Sequence, residues 1–316
     1  MKYLITGAAG FIGSSVAKKL LENGEEVFGL DCFNDYYNPE YKRQNTAELE
    51  KFVKFHLLEG DFTNREFVEE VFSENKFDKI IHLAARAGVR NSIADPTLYN
   101  QVNVMGTLNL LEAAKKYGPK DFIFASSSSV YGNNKKVPFA ESDDVNSPAS
   151  PYAATKKAGE LMCYTYHYLF GLNTTCLRFF SVYGPKGRPD MAPYLFTEAI
   201  IKNQPIKKFG DGSMKRDWTY IDDIVNGVIA AAKKSFPYEI INLGNSKPID
   251  LNSFIANIEE AIGKKAIIEE SPKPKEDVAI TYADTKKAEQ LLGFKPSTSF
   301  TDGIKIFVDW YKTNRS

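Results

Sequence analysis

The first 180 residues alternate between short runs rich in β-branched residues and longer segments with helical periodicity. This alternation is typical of a parallel sheet covered by helices on both faces, and it predicts a doubly wound, Rossmann-type α/β fold. In the first helical segment, Ile12, Val16 and Leu20 recur every four residues, as expected of a stripe that packs on a sheet. Strands are predicted at 3–6, 26–30, 54–58, 79–83, 121–125 and 174–179, and helices near 11–23, 40–50, 64–74, 97–117 and 150–171.

Three glycines lie between the first predicted strand and the first helix. Gly7, Gly10 and Gly13 have the spacing Gly-x-x-Gly-x-x-Gly, which permits a tight turn, close approach of the backbone to a pyrophosphate, and close packing of helix on strand. The N-terminus of the helix adds free N–H groups and a positive dipole. Asp31, at the end of the second strand, is placed to bind ribose hydroxyls and to repel a 2′-phosphate. The pattern therefore predicts NAD, rather than NADP, as the cofactor.

The character of the chain changes after residue 180, where segments become shorter and richer in proline and glycine. We expect a smaller mixed α/β lobe there, with the chain returning to the large sheet further on. The predicted NAD-binding domain is 1–180 together with about 220–245, and the predicted substrate-binding lobe is 181–219 together with 246–316.

The charge balance narrows the choice of partners. The 40 Lys and Arg residues offset 40 Asp and Glu residues, whereas nucleic acids and anionic membranes select a basic surplus, so we expect neither as a partner. No apolar run approaches the ~18 residues of a membrane-spanning helix. The apolar start of the chain is too short for a signal peptide, so we expect a cytoplasmic protein. The three cysteines and three histidines lie far apart and predict no metal site and no disulfide framework.

A second group of residues carries acid/base chemistry. Tyr152 and Lys156 are four residues apart in a predicted helix, so their side chains share one face. A free phenol has a pKa of ~10 and is a weak base near neutrality, but a neighbouring ammonium and a cationic nicotinamide ring would stabilise the phenolate. The serine run 126–129 follows a predicted central strand, at the edge where doubly wound sheets bind ligands. These residues predict a proton-transfer site beside the nicotinamide.

Several motifs together resemble the extended short-chain dehydrogenase/reductase family. They are the glycine turn, His82-Leu-Ala-Ala85, Asn103-Val-Met-Gly-Thr107, the serine run, the Tyr152/Lys156 pair and Arg216-Asp-Trp-Thr-Tyr220. The similarity covers essentially the whole chain. Within the family, the stretches 31–37, 87–90 and 178–192 resemble those of UDP-glucuronate 4-epimerases.

The resemblance implies NAD-dependent, reversible C4 epimerisation of UDP-glucuronate to UDP-galacturonate through a transient 4-keto sugar, with the bound NAD recycled. It implies that Tyr152 is the acid/base, that Lys156 tunes Tyr152 and binds ribose, and that Ser127 bonds the sugar O4. The implied cofactor site comprises Gly7, Gly10, Phe11, Ile12, Gly13, Asp31, Asp61, Phe62, Leu83, Ala84, Ala85, Asn103 and Lys156. The implied substrate-binding residues are Arg90, Ser128, Ser129, Ser181, Arg188, Lys207, Phe209, Arg216 and Asp277.

Two of these assignments have a structural alternative. Asp61 either contacts adenine or caps the helix predicted at 64, and Arg188 either contacts the substrate or pairs with Asp190. The substrate contact matters because a 4-keto uronic acid is a β-keto acid. It loses carbon dioxide when the bond from C5 to the carboxylate aligns with the carbonyl π system. An epimerase must therefore hold that carboxylate out of alignment.

Other functions remain open. The same chemistry on a neutral sugar would make the protein an epimerase of UDP-glucose and UDP-galactose, or of an N-acetylhexosamine. Similar decarboxylases and 4,6-dehydratases carry carboxylates where Ser128 and Ser129 stand, which disfavours a UDP-glucuronate decarboxylase or a dehydratase. A non-catalytic NAD-binding protein is disfavoured by the intact set of Ser127, Tyr152 and Lys156.

The helices at 97–117 and 150–171 carry more apolar and aromatic residues than are needed to cover a sheet. The resemblance implies that such helices pair into a four-helix bundle, so we expect a homodimer. Alternatively, the aromatic residues of the second helix pack against the smaller lobe; these are Tyr164, Tyr166, Tyr168 and Phe170.

Overall fold

The computed structural model describes residues 1–272 and 279–315. The strands are β1 (Lys2–Thr6), β2 (Glu26–Asp31), β3 (Phe55–Glu59), β4 (Lys79–His82), β5 (Asp121–Ser127), β6 (Asn173–Phe179), β7 (Ser181–Tyr183), β8 (Pro205–Phe209), β9 (Lys215–Tyr220), β10 (Tyr238–Leu243), β11 (Pro248–Asp250), β12 (Ile267–Ser271) and β13 (Ile280–Thr281). The α-helices are α1 (Phe11–Glu22), α2 (Pro39–Leu49), α3 (Arg65–Glu74), α4 (Val89–Ala94), α5 (Pro96–Asn100), α6 (Gly106–Tyr117), α7 (Pro151–Phe170), α8 (Ala192–Ile201), α9 (Ile221–Ala232), α10 (Leu251–Ile262), α11 (Lys286–Leu292) and α12 (Phe300–Asn314). A π-helix spans Gln101–Met105 and a 3₁₀-helix spans Ser128–Tyr131.

The large sheet has seven strands in the order β10-β6-β5-β4-β1-β2-β3. Every neighbouring pair in it is parallel. The strand order reverses at β1, which has β2 on one side and β4 on the other. Ligands of open α/β sheets bind at such a switch point, outside the carboxyl ends of the strands. The predicted doubly wound, Rossmann-type fold is confirmed.

Alternate residues of β1 show that helices cover both faces of the sheet. Ile5 belongs to one buried cluster with Val16 of α1 and Val228 of α9. Its neighbour Leu4 belongs to a second buried cluster, with Leu110 of α6. Successive strand residues point to opposite faces, so a strand buried on both sides carries apolar residues at successive positions.

The second half forms a smaller lobe of mixed sheets. β9 pairs antiparallel with β11 and parallel with β7 and β13, and β8 pairs parallel with β12. Aromatic residues fill the space between this lobe's strands and helices. The Phe254 ring on α10 lies 4.9 Å from the ring of Trp218 on β9 and 5.4 Å from the ring of Phe300 on α12. This agrees with the predicted mixed α/β lobe.

The helix predicted at 97–117 is interrupted. Instead of one regular α-helix, the chain passes from α5 through the π-helix Gln101–Met105 into α6. Asn103 lies in this π-helix, and its side chain is buried and hydrogen-bonded. Gly106 begins α6, and a Cβ at this position would lie 2.3 Å from the Phe62 ring. The short helix α4, which sequence periodicity did not predict, precedes this segment.

No helix among the described residues has the length and apolar character needed to cross a membrane. No cluster of three or more His, Cys, Asp or Glu side chains among them is arranged to hold a metal ion.

Candidate active site

A cavity of ≈ 620 Å³ opens at the carboxyl ends of β1, β2, β4 and β5, with the smaller lobe opposite. Most of the predicted site residues line it: Gly7, Gly10, Phe11, Ile12, Gly13, Asp31, Asp61, Phe62, Leu83, Ala84, Ala85, Arg90, Ser127, Ser128, Ser129, Tyr152, Lys156, Ser181, Arg188 and Arg216. Within the described part of the chain, three predicted residues do not line it, namely Asn103, Lys207 and Phe209. Asp277 lies outside the described residues. Residues far apart in the sequence thus meet in one cavity.

The glycine turn has the shape of a phosphate cradle. Gly7 has φ +72° and donates its N–H to the Leu30 carbonyl oxygen at 2.7 Å. A Cβ on Gly13 would lie 1.9 Å from the Gly7 carbonyl oxygen, so only glycine allows α1 to approach the turn this closely. Gly10 precedes α1 and offers no side-chain cap, which leaves the N–H groups of the first turn to a ligand. The turn therefore fits the pyrophosphate of a dinucleotide.

The carboxylate of Asp31 is held at the end of β2. Its Oδ1 accepts the Phe33 N–H at 2.9 Å, and its Oδ2 accepts the Ala9 N–H at 3.2 Å. Asp31 is only 7% exposed but lines the cavity beside the glycine turn. This position suits the hydroxyls of a ribose attached to that pyrophosphate.

Asp61 lines the cavity and is not the cap of α3. Its Oδ1 accepts the Thr63 N–H at 2.8 Å, which forms a local turn. The cap of α3 is Asn64, whose side-chain oxygen accepts the Phe67 N–H at 3.0 Å. Of the two alternatives for Asp61, the structure removes the cap and leaves the adenine contact as a prediction.

Asn103 is predicted to bind the cofactor, but the structure places it behind the cavity wall. Its side chain accepts the Arg86 N–H at 2.8 Å, donates to the Arg86 carbonyl oxygen at 2.9 Å, and donates to Thr155 Oγ1 at 3.0 Å. The hydrogen-bonding groups of this buried amide are directed to the protein. Asn103 instead joins the loop after β4 to helix α7, which carries Tyr152.

The predicted pair of Tyr152 and Lys156 lies at the start of α7. Ser150 caps this helix by accepting the Ala153 N–H at 3.1 Å, so the helix begins at Pro151 and Tyr152 is in its first turn. Both Tyr152 and Lys156 line the cavity, in agreement with their four-residue spacing. Lys156 is 3% exposed and donates to the Ala125 carbonyl oxygen at 2.8 Å.

The electrostatics of this pair differ from the sequence-based expectation. Burial raises the pKa of the Tyr152 phenol, while a hydrogen bond with Ser127 and the positive charge of Arg188 act in the opposite direction. Burial lowers the pKa of Lys156 to about 7. The groups that lower the Tyr152 pKa here are Ser127 and Arg188, while the Lys156 ammonium donates to the Ala125 carbonyl oxygen. The tuning of Tyr152 by Lys156 stays a prediction.

A buried ion pair joins helix α7 to strand β6, next to strand β5, where the serine run begins. Glu160 of α7 accepts two hydrogen bonds from Arg178 of β6, at 2.8 and 2.9 Å, and one from the Ser126 hydroxyl at 2.6 Å. Burial alone would raise the pKa of Glu160, but the hydrogen bonds and charge of Arg178 outweigh it and hold the pKa below its usual value. Helix α7 and the ends of β5 and β6 are thereby joined in one rigid unit.

The serine run turns into the cavity. The Ser127 hydroxyl donates to Ser129 Oγ at 3.1 Å and accepts the Ser129 N–H at 3.1 Å. Ser128 and Ser129 begin the 3₁₀-helix, and both line the cavity together with Ser181 of β7. Four serine side chains therefore line the cavity that Tyr152 also lines, and the run contributes no carboxylate.

Of the two alternatives for Arg188, the structure shows the pair with Asp190, and the substrate contact stays a prediction. Arg188 forms a bidentate ion pair with Asp190, with distances of 2.9 and 2.5 Å, and it also lines the cavity. Its Nη2 donates to the Tyr36 hydroxyl at 3.3 Å, and that hydroxyl donates to the Ala87 carbonyl oxygen at 2.6 Å. The loop that carries Arg188 is thus tied across the cavity to the loops after β2 and β4.

The remaining predicted substrate-binding residues lie on α4, β8 and β9. Arg90 lines the cavity with its guanidinium 5.1 Å from the Phe209 ring, so Phe209 supports the wall from behind. Arg216 of β9 lines the cavity and donates to the Lys215 carbonyl oxygen at 2.9 Å. Lys207 is exposed on β8 and does not line the cavity, so a direct substrate contact for it has no support in this geometry.

Sequence reasoning did not assign a role to Tyr36, Lys42 or Arg86, which also line the cavity. One signal was available for Lys42. The buried residues of α2 are Lys42, Asn45, Thr46 and Leu49, a helical stripe that begins with a charged residue. The other two lie in irregular loops, where spacing carries no information about orientation.

Comparison with known proteins agrees with this geometry. The family model described as GDP-mannose 4,6 dehydratase matches residues 4–307. The chain belongs to this family. It is 47% identical to the UDP-glucuronate 4-epimerase of Thermodesulfobacterium geofontis, over 99% of this chain and 96% of that protein. It is 40% identical to the probable UDP-glucuronate 4-epimerase of Rhizobium meliloti, over 99% and 98% of the two chains.

Solved structures of family members superpose over the full chain. The UDP-glucuronic acid 4-epimerase from Bacillus cereus, in complex with UDP-glucuronic acid and NAD, has a TM-score of 0.94 and 37% identity, covering 99% of each chain. The UDP-glucose 4-epimerase from Thermotoga maritima, with UDP-glucose, has a TM-score of 0.92 and 32% identity, covering 100% of each chain. Members of this family therefore include epimerases of an acidic and of a neutral sugar.

Proposed function

We propose that this protein is an NAD-dependent epimerase that interconverts UDP-glucuronate and UDP-galacturonate at C4. The observation that carries the proposal is the cavity itself, which Ser127, Tyr152 and Lys156 line together with the glycine turn. Among the solved structures, the identity is 37% to the UDP-glucuronic acid 4-epimerase and 32% to the neutral-sugar epimerase, which supports the acidic substrate.

The residues present fit NAD. The glycine turn and the N-terminus of α1 accept the pyrophosphate, Asp31 the adenosine ribose, and Lys156 the nicotinamide ribose. When bound, NAD accepts a hydride from the sugar and returns it to the opposite face. In this proposal residues 1–180 and 220–245 form the NAD-binding domain, and 181–219 and 246–316 form the substrate-binding lobe.

Tyr152 moves the proton of the sugar 4-hydroxyl. Because burial raises its pKa, the phenol is protonated at neutral pH until further positive charge or hydrogen bonds favour the phenolate. A hydrogen bond with Ser127 lowers the Tyr152 pKa, and in this proposal Ser127 also bonds the sugar O4. After the 4-keto sugar turns over in the cavity, the same phenol returns the proton to O4. One residue thus serves both directions of the reaction.

To avoid decarboxylation, the enzyme must bind the carboxylate of the 4-keto intermediate so that its bond to C5 does not align with the carbonyl π system. The hydroxyls of Ser128, Ser129 and Ser181 line the cavity near Tyr152. The positive charge of Arg188 lowers the Tyr152 pKa, and a hydrogen bond to Asp190 restrains the Arg188 side chain. In our proposal, these groups bind the carboxylate by charge-assisted hydrogen bonds and suppress decarboxylation.

Turnover of matched substrates tests the proposal. Purified protein is incubated with UDP-glucuronate or UDP-glucose, and the products are separated as UDP-sugars, with carbon dioxide measured in parallel. We expect UDP-galacturonate from the first, little UDP-pentose or carbon dioxide, and slower conversion of UDP-glucose. The Tyr152→Phe variant should bind NAD and lose about 10²-fold or more in rate. Faster conversion of the neutral sugar would instead identify a UDP-glucose 4-epimerase.

We also propose that the protein is a homodimer that joins α6 and α7 of each subunit in a four-helix bundle. Leu161, Tyr164 and Tyr168 form a stripe on α7 with exposed fractions of 54%, 49% and 74%. Tyr164 and Tyr168 stack on each other at 6.3 Å rather than packing against the lobe. A contiguous apolar stripe on a helix beside α6 suits a second copy of the same chain.

A cytoplasmic location completes the proposal. The three cysteines are free thiols, and Cys163 and Cys176 are buried. Unpaired thiols agree with a reducing compartment.

A further inference from the structure

Lys42 occupies an unusual place for a lysine. It lies in α2 and is 5% exposed, and its side chain reaches the cavity beside Asp31. Its ammonium donates to Asn34 at two atoms, the side-chain oxygen at 2.9 Å and the carbonyl oxygen at 3.2 Å. The same ammonium lies 3.8 Å from Asp31 Oδ1. A cation and the ribose-facing carboxylate therefore stand side by side.

The neighbouring cation of α2 points away from the cavity. Arg43 is paired with Glu59 at 2.5 Å, and both side chains are about half exposed, at 44% and 52%. Lys42 has no such carboxylate other than Asp31 within 4.0 Å among the described residues. Burial lowers the pKa of Lys42, and the charge of Asp31 raises it. The two hydrogen bonds to Asn34 hold this ammonium in place beside the carboxylate.

We propose that Lys42 is a residue that determines cofactor selectivity, acting against Asp31. This inference rests on the NAD site proposed above. The carboxylate of Asp31 repels a phosphate on the ribose 2′-oxygen, whereas an ammonium 3.8 Å from that carboxylate attracts it. The local charge of the pair is therefore near zero. In this proposal Asp31 is the group that excludes NADP, and the ammonium of Lys42 becomes available to a 2′-phosphate once that carboxylate is neutralised.

The proposal makes a distinctive prediction about charge. Neutralising Asp31 leaves the local charge positive and creates a phosphate site, neutralising Lys42 leaves it negative, and neutralising both returns it to zero. The two substitutions are therefore expected to act in opposite directions on NADP and to cancel when combined.

Binding measurements test this without reference to catalysis. Calorimetric titrations with NAD and with NADP compare the wild type, Asp31→Asn, Lys42→Met and the double variant, with Asp31→Asn/Arg43→Met as the matched control. We expect Asp31→Asn to bind NADP about tenfold more tightly or better than wild type. The gain should disappear in Asp31→Asn/Lys42→Met and survive in the Arg43 control. Thermal unfolding checks each fold, and Lys42→Gln replaces Lys42→Met if the latter is unfolded.

Two results would overturn the inference while the proposed function stands. One is a gain in NADP binding that survives removal of Lys42 or depends on Arg43. The other is an Asp31→Asn variant that binds NAD and shows no gain for NADP. A wild type that binds neither dinucleotide would overturn the proposed cofactor and this inference together.

Discussion

At the scale of single residues, burial decides the charge state of Lys156. Its pKa of about 7 lies well below the ordinary value of ~10.4 for a lysine. Between these two values the unfolded chain binds a proton that the folded chain does not, so the free energy of unfolding rises with pH across this window. Below it, the folded protein carries the full cost of a buried ammonium. Lys156, which is proposed to bind ribose, therefore lowers the free energy of unfolding at low pH.

Replacement of this lysine should make the protein more stable at low pH. We expect Lys156→Met to raise the melting temperature by about 3 °C or more at pH 6.5, with a smaller gain at pH 9.5, because the removed cost declines as Lys156 loses its proton. Thermal unfolding in the absence of NAD measures both values. The control Lys18→Met, an exposed lysine of α1, should show no such difference. An equal shift at the two pH values would contradict the explanation.

At the scale of secondary-structure elements, the strand-turn-helix unit of β1 and α1 depends on how closely its parts approach. A Cβ on Gly13 would lie 1.9 Å from the Gly7 carbonyl oxygen and 2.7 Å from the Gly7 carbonyl carbon. No rotation of a side chain relieves contact with backbone atoms, so α1 must move away from the turn. Such a movement separates the helix N-terminus from the pyrophosphate that it is proposed to bind.

A matched pair of glycine substitutions separates this effect from general strain. Gly13→Ala should weaken NAD binding by about tenfold or more, because the phosphate cradle opens. Gly24→Ala affects the end of the same helix, where φ is +82° and an added methyl group would have no atom within 4 Å. It should cost about 1 kcal/mol of stability and leave NAD binding unchanged. Calorimetry and thermal unfolding measure the two properties, and equal effects on binding would be the contrary result.

At the scale of the whole molecule, the exposed face of α7 is the feature that a monomer leaves unexplained. The same helix presents Tyr152 and Lys156 to the cavity, while Leu161 and Tyr168 face outward. Pairing of this face between two subunits would remove apolar surface from water and would hold the helix that carries the proposed acid/base. The assembly and the active site are therefore expected to share one element.

Charge placed on this face should separate the subunits. We expect wild-type protein to sediment as a dimer at micromolar concentration, and Leu161→Glu/Tyr168→Glu to sediment as a monomer, since apposed carboxylates would be buried without partners. The control Val53→Glu changes an apolar residue that is 96% exposed elsewhere on the surface and should remain dimeric. A monomeric wild type would disprove the interface.

Local sequence patterns predicted much of the fold and several residues of the candidate site. Three patterns involve residues that are close together in the sequence: the alternation of strands and helices, the glycine turn, and the four-residue spacing of Tyr152 and Lys156. Regular backbone geometry is therefore enough to predict the local structure that each of them forms. The π-helix was not predictable, because it depends on Asn103 reaching Arg86 and Thr155, which lie far away in the sequence.

The amino-acid sequence by itself determined the fold class, the glycine turn and the spacing of the proposed acid/base pair, because each depends on local sequence patterns. Only the tertiary structure decided which charges meet. It placed the ammonium of Lys42 3.8 Å from Asp31, directed Lys156 to a carbonyl oxygen, and left Ser127 and Arg188 to act on the phenol of Tyr152. The physical reason is that pKa values and charge pairing depend on burial and distance, which arise when separate segments pack together.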